Sequence, residues 1–124
     1  MTDRVTLTIP RERPFRSVAH LVLGGLAVRH NLTVEHLEDL QVALDELLEH
    51  DDDLSDVTVE LLVDEQHVEA EIGPFQEATL RAATEPSDGL GLSRVLATVV
   101  DGVEQTDRAG AGWLKLVKSV EAPA

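Results

Sequence analysis

The chain has no cysteine among its 124 residues, so disulfides, thiol nucleophiles and cysteine metal sites are excluded. It has no tyrosine, one tryptophan and two phenylalanines. The core must therefore be aliphatic, and aromatic stacking on exposed bases is hardly available. Cations are scarce as well: 10 Lys and Arg stand against 24 Asp and Glu, for a net charge of −14. Such a surface repels phosphate backbones and anionic lipid, so direct nucleic-acid or membrane binding is not expected. A basic protein partner would be steered in, although the same charge also serves solubility. No apolar run reaches membrane-spanning length and no signal peptide opens the chain, which makes a cytoplasmic location the expectation. An apolar fraction of 43% argues for a packed core. The length suits a single domain over residues 1–120, with 121–124 as a disordered tail.

Hydrophobic periodicity sets out the elements. Val5, Leu7 and Ile9 alternate with Thr6 and Thr8 until Pro10, which reads as a strand with one buried face. Phe15, Val18, Ala19, Val22 and Leu26 recur at helical spacing over Phe15–His30. Gly24-Gly25 inside that helix weakens it, or allows a bend or a close backbone approach. Thr33 is an N-cap with Glu35 in the first turn, and Leu37, Leu40, Leu44, Leu47 and Leu48 form one stripe. The acidic stretch Glu49–Asp53 lies at the wrong end for the helix dipole and is expected to fray. Val57–Val63 and His67–Ile72 read as a hairpin, with Val57, Val59, Leu61 and Val63 on one face. Gly73–Asp88 reads as a long irregular connection in which Gln76–Ala83 could form a short helix. A further helix follows over Gly91–Val100, then strands over Gly102–Gln105 and Trp113–Val117 around Asp107–Gly112. Helices that do not alternate one by one with strands point to an α+β two-layer sandwich: a mostly antiparallel sheet of four or five strands, with about three helices on one face.

Two constellations carry chemistry. Gly89-Leu90-Gly91-Leu92 runs straight into a helix; this is either a backbone able to wrap an anion or a flexible helix entry. Asp45, Glu46 and His50 lie on the second helix, with Glu46 and His50 four apart on a face opposite the leucine stripe. A carboxylate beside a phosphate-cradling loop is how a water-activating base would be arranged. The five histidines show no metal spacing; His30 and His36 are expected at the surface. The serines occupy no nucleophile elbow.

With these residues in view the chain resembles the anti-sigma-factor serine kinases, of the ATPase superfamily that includes histidine kinases, gyrase and Hsp90. The likeness spans Val5–Val117 and implies a Bergerat-type ATPase fold. Leu37–Glu46 is similar to the helix whose Glu is the general base, which assigns that role to Glu46. Gly89-Leu90-Gly91-Leu92 is similar to the Gly-rich segment beside the nucleotide phosphates. Glu71-Ile72-Gly73-Pro74-Phe75 falls where the family has its Asp-x-Gly-x-Gly adenine loop. His50 stands where the family carries a Mg²⁺-holding Asn, and imidazole is a poor Mg²⁺ ligand. Glu71 replaces the adenine-binding Asp, and the second loop Gly is absent. The resemblance thus implies an anti-sigma-type regulator binding a sigma factor, an anti-anti-sigma protein as a further partner, and homodimerisation through the first helix. The departures imply weak or absent ATP binding and no Mg²⁺. The alternative is an active kinase phosphorylating an anti-anti-sigma factor. Arg16, with Arg11 and Arg13 nearby, stands where the family presents a partner-contacting Arg.

Overall fold

The computed structural model describes residues 2–51, 55–86 and 91–120. The chain opens with β1 (Asp3–Pro10) and passes through a 3-10 turn at Arg13–Phe15 into α1 (Arg16–Arg29) and α2 (Val34–His50). Thr33 opens α2 as anticipated: its hydroxyl accepts the His36 N–H at 3.0 Å, and the His36 ring accepts the Thr33 N–H at 3.4 Å. The hairpin follows as β2 (Asp56–Val63) and β3 (His67–Gly73). Asp64 seals its turn by accepting the Gln66 and His67 N–H groups at 2.7 and 2.8 Å.

The stretch read as irregular contains α3 (Glu77–Thr84), close to the short helix weighed for it. After it come α4 (Leu92–Val99), β4 (Gly102–Arg108) and β5 (Ala111–Ser119). Both strands run further into Asp107–Gly112 than expected. The turn between them is tighter, with Ala109 at φ 52° and Gly110 at φ 81°. Asp107 accepts the Gly110 N–H at 3.1 Å and holds that geometry.

The five strands form one sheet in the order β1-β2-β3-β5-β4, every neighbouring pair antiparallel. The architecture is the expected α+β one, with four α-helices among the described residues rather than about three. Alternation along the strands splits the sheet into two faces. Val57, Val59, Leu61 and Val63 of β2, Val68, Ala70 and Ile72 of β3, and Leu114 and Leu116 of β5 belong to one buried cluster with α1, α2, α3 and α4. Glu60, Glu69, Glu71, Trp113 and Lys115 alternate with them and lie on the opposite face. Lys118 is the polar exception on the helix side. Its ammonium donates to Val99 O at 2.8 Å and to Asp39 at 3.0 Å, tying α4 and α2 to β5. The two described ends converge: Asp3 pairs with Val63, and Val120 N donates to Gln66 O at 2.9 Å, so both lie beside the β2–β3 turn.

Gly24 and Gly25 sit within α1, and nothing lies within 4 Å of a side chain built at either. Among the described residues, no part of the chain makes the close approach that the pair would allow.

Candidate functional site

The C-terminal half of α2 carries the acidic constellation. Its leucine stripe is buried, which turns Glu46 and His50 outward to solvent. Asp45 accepts from the His20 ring of α1 at 2.8 Å. Glu49 meets Arg13 at 2.8 Å and Arg16 at 2.9 Å. Arg13 and then Arg16 hold the Glu49 carboxyl below its usual range. Glu46 is left without a hydrogen bond or ion pair among the described residues, so its carboxylate is available as a base.

α2 stays helical through Glu49 and His50 rather than fraying there, and Asp51 after it is turned into the protein, while Asp52 and Asp53 lie outside the described residues. The side chain of Asp51 is 0% exposed and pairs with Arg11 at 2.7 Å. The other carboxylate oxygen accepts the Thr79 hydroxyl at 3.0 Å and the Gln76 N–H at 3.4 Å. Asp51 therefore ends α2 and places an anion at the N-terminus of α3, where the helix dipole favours it. Arg11 is correspondingly not a surface residue. It was grouped with Arg13 and Arg16 as a partner contact, but its side chain is 3% exposed. Arg11 donates to Pro74 O and lies 5.3 Å over the Phe75 ring. Arg11 and Arg13, two residues apart, thus have opposite fates, set by a carboxylate far along the chain.

The candidate adenine loop lies against this clasp. Gly73 ends β3, and Phe75 is buried with its N–H on Gly112 O at 2.9 Å. Glu71, expected to face the adenine, lies instead on the helix-free side of the sheet. There Arg108 grips Glu71 and Glu60, while its guanidinium lies 4.6 Å over Trp113. Those contacts, Glu60 first, raise the Arg108 pKa further. The signal was present in the sequence: Glu71 has the parity of Glu69, opposite Val68, Ala70 and Ile72. Arg108 and Asp51 carried no comparable signal, since both sit in stretches that read as turns.

Gly91 is the N-cap of α4, and Leu92 is buried beneath its first turn. Gly89 and Leu90 lie outside the described residues. The structure thus gathers Gly73, Phe75 and Asp51 at one end of the sheet with Glu46 and His50 on the adjoining helix, and it sends Glu71 to the other face. Among the described residues no cluster of His, Asp or Glu could hold a metal ion, and no helix is long and apolar enough to cross a membrane.

Paired charges also fix the acid response. Asp3 is held down first by Arg29 and then by His30, whose ring is 4% exposed at 2.7 Å rather than on the surface. Asp64 is held down by the Gln66 and then the His67 N–H. Groups depressed on folding stabilise the protein above their unfolded pKa and lose that contribution as pH falls through the folded one. The urea midpoint should be flat down to the carboxylate range, about pH 4, and drop below it. The drop should be smaller in Asp64→Ala; a midpoint unchanged down to the folded pKa values would refute the assignment.

The helix-backed, five-stranded antiparallel sheet matches an RsbW-like α+β fold. The chain is similar to the RsbW serine-protein kinases over most of its length. It is 29% identical to serine-protein kinase RsbW of Listeria monocytogenes serotype 4a (strain HCC23) over 127 aligned positions, which cover 84% of this chain and 80% of that protein. RsbW of the serovar 1/2a strain EGD-e is 29% identical over 79 positions, 58% of this chain and half of that one. The crystal structure of the RsbU and RsbW domains of a Mycobacterium tuberculosis protein superposes with a TM-score of 0.69 at 15% identity. That match covers 98% of this chain, which spans 34% of the mycobacterial one. No protein-family profile matches the chain.

Proposed function

We propose that this chain is an anti-sigma-type regulator whose main work is holding a sigma factor, with nucleotide handling weak or lost. The observation that carries the reading is the outer face of α1. Leu21 and Val28 are 77% and 85% exposed, with Phe15 and Val18 beside them. Such apolar exposure marks a surface that another protein covers. In a chain of net charge −14, α1 carries Arg16 and Arg29 and no acid, so the face does not repel an acidic helix. The same face serves self-association of the kind implied for the family.

The residues present fit Mg²⁺ and a nucleotide poorly. Phe75 is buried under Arg11, Leu80 packs against Gly112, and Glu71 is committed to Arg108 on the other face. His50 offers imidazole where a hard oxygen donor is wanted.

Leu21→Asp is expected to abolish co-purification of the host's sigma factor while leaving the melting temperature unchanged. Millimolar ATP with Mg²⁺ should produce no thermal shift, whereas a ligand at a hundredfold excess over Kd would add about 2.7 kcal/mol. Sigma-factor recovery unaffected by Leu21→Asp would refute the partner surface; a clear ATP shift would refute the nucleotide claim alone. Glu46, exposed and without an ion pair among the described residues, favours a second reading, a serine kinase acting on an anti-anti-sigma protein. Phosphate transfer to that protein, lost in Glu46→Gln, would decide for it.

A further inference from the structure

A sizeable cleft lies away from all of this. It encloses about 470 Å³ between the end of α3, the outer side of α4 and the start of β4. No residue of α1, of α2 or of the Gly73–Phe75 loop lines it. Its floor is apolar and built of small side chains, with Ala83, Ala97, Val100 and Val103 among them, and Ser93 and Arg94 stand at one end. That volume falls within the range of ligand sites, about 300–1,000 Å³.

Two further features say what it suits. Eight of the chain's cations, Arg11, Arg13, Arg16, Arg29, Arg81, Arg108, Lys115 and Lys118, are held in ion pairs. Arg94 is exposed, and its guanidinium has no partner among the described residues, so it is free to take a carboxylate. Gly102 and Val103 of the cleft belong to β4, the last strand of the sheet, whose outer edge pairs with no other strand among the described residues. A bare strand edge offers main-chain donors and acceptors to an extended chain.

We propose that this cleft docks an extended segment of a protein partner. The segment adds to the β4 edge, lays an apolar side chain over Ala97 and Val103, and gives a carboxylate to Arg94. A second copy of this chain does not fit the role. Asp101, which precedes β4 and lines the cleft, and Glu104 and Asp107 within β4 are all exposed, and two such edges brought together would oppose like charges. The docking segment is accordingly acidic only at its Arg94 end and neutral or basic along β4.

The test is selection of short random peptides, in solution, on the full chain, with amide and methyl shifts mapping where they bind. Selected peptides should share an acidic residue next to an apolar one and move the Gly102, Val103 and Ala97 signals. Arg94→Glu should weaken them by about tenfold or more and turn the selection toward basic residues. Ala97→Trp, at an exposed position, should block them, and Leu21→Asp should leave them untouched. Failure to select any peptide, shifts confined to α1, or indifference to Arg94→Glu would each overturn the proposal.

Discussion

Asp51→Ala should cost about 3–5 kcal/mol, the penalty for removing one member of a buried ion pair. The reason is geometric. Arg11 and Asp51 are 3% and 0% exposed, so the arginine left behind keeps its charge without water or a counter-charge. Arg11 Nε is already a buried donor without a hydrogen-bond partner among the described residues. The substitution also takes the anion from the start of α3 and strips acceptors from the Thr79 hydroxyl and the Gln76 N–H. Domains of this size are stable by roughly 5–15 kcal/mol, so the variant would sit near its unfolding threshold. Replacing both partners with apolar residues, as in Arg11→Met with Asp51→Leu, should recover most of the loss, because the buried pair itself adds little net stability. Urea unfolding of the single and double variants measures this as a coupling energy. A loss below about 1 kcal/mol for Asp51→Ala would mean the two charges are hydrated in solution.

Gly73→Ala should be the next most damaging, at about 1–3 kcal/mol from overpacking. A methyl at this position would lie 2.5 Å from Trp113 Cγ and 2.6 Å from Cδ2. The indole has little room to retreat, because Arg108 covers it and is itself gripped by Glu60 and Glu71. Gly112→Ala is the control. There the obstacle is the terminal methyl of Leu80, which can rotate, so a smaller loss is expected. The chain's one tryptophan reports the first case directly. Its emission should shift in Gly73→Ala and stay put in Gly112→Ala. Equal melting temperatures for the two variants would show that the indole yields as easily as the leucine.

These residues also mark how far the sequence could be read. The hairpin and the α2 stripe were legible because a periodic pattern needs only neighbouring residues. Val57, Val59, Leu61 and Val63 announce one face, and five leucines announce another. The resemblance rested on the same α2 segment and on Gly89–Leu92, of which Gly91 and Leu92 are described and cap and anchor α4. Arg11 was not legible, since nothing near it distinguishes a buried arginine from Arg13. Only the fold brings Asp51 and Pro74 to it. The Asp51 side chain read as one more acid in an acidic run. Glu71 was half legible: motif position placed it at a ligand, while strand parity, counted from Ile72, placed it on the other face, and parity prevailed. α3 stayed ambiguous because Pro74 and Pro86 bracket it so closely that helix and loop readings compete.

The meeting of Asp3 and Val120 beside Asp64–Gln66 has a practical outcome. A fluorophore, an affinity handle or a surface tether attached at either extremity emerges at the pole remote from Arg11, Asp51 and Phe75. Single-molecule pulling between the two attachment points would load β1 and β5 from one side, peeling the sheet rather than shearing it, and would leave the α2–α3 junction to yield last.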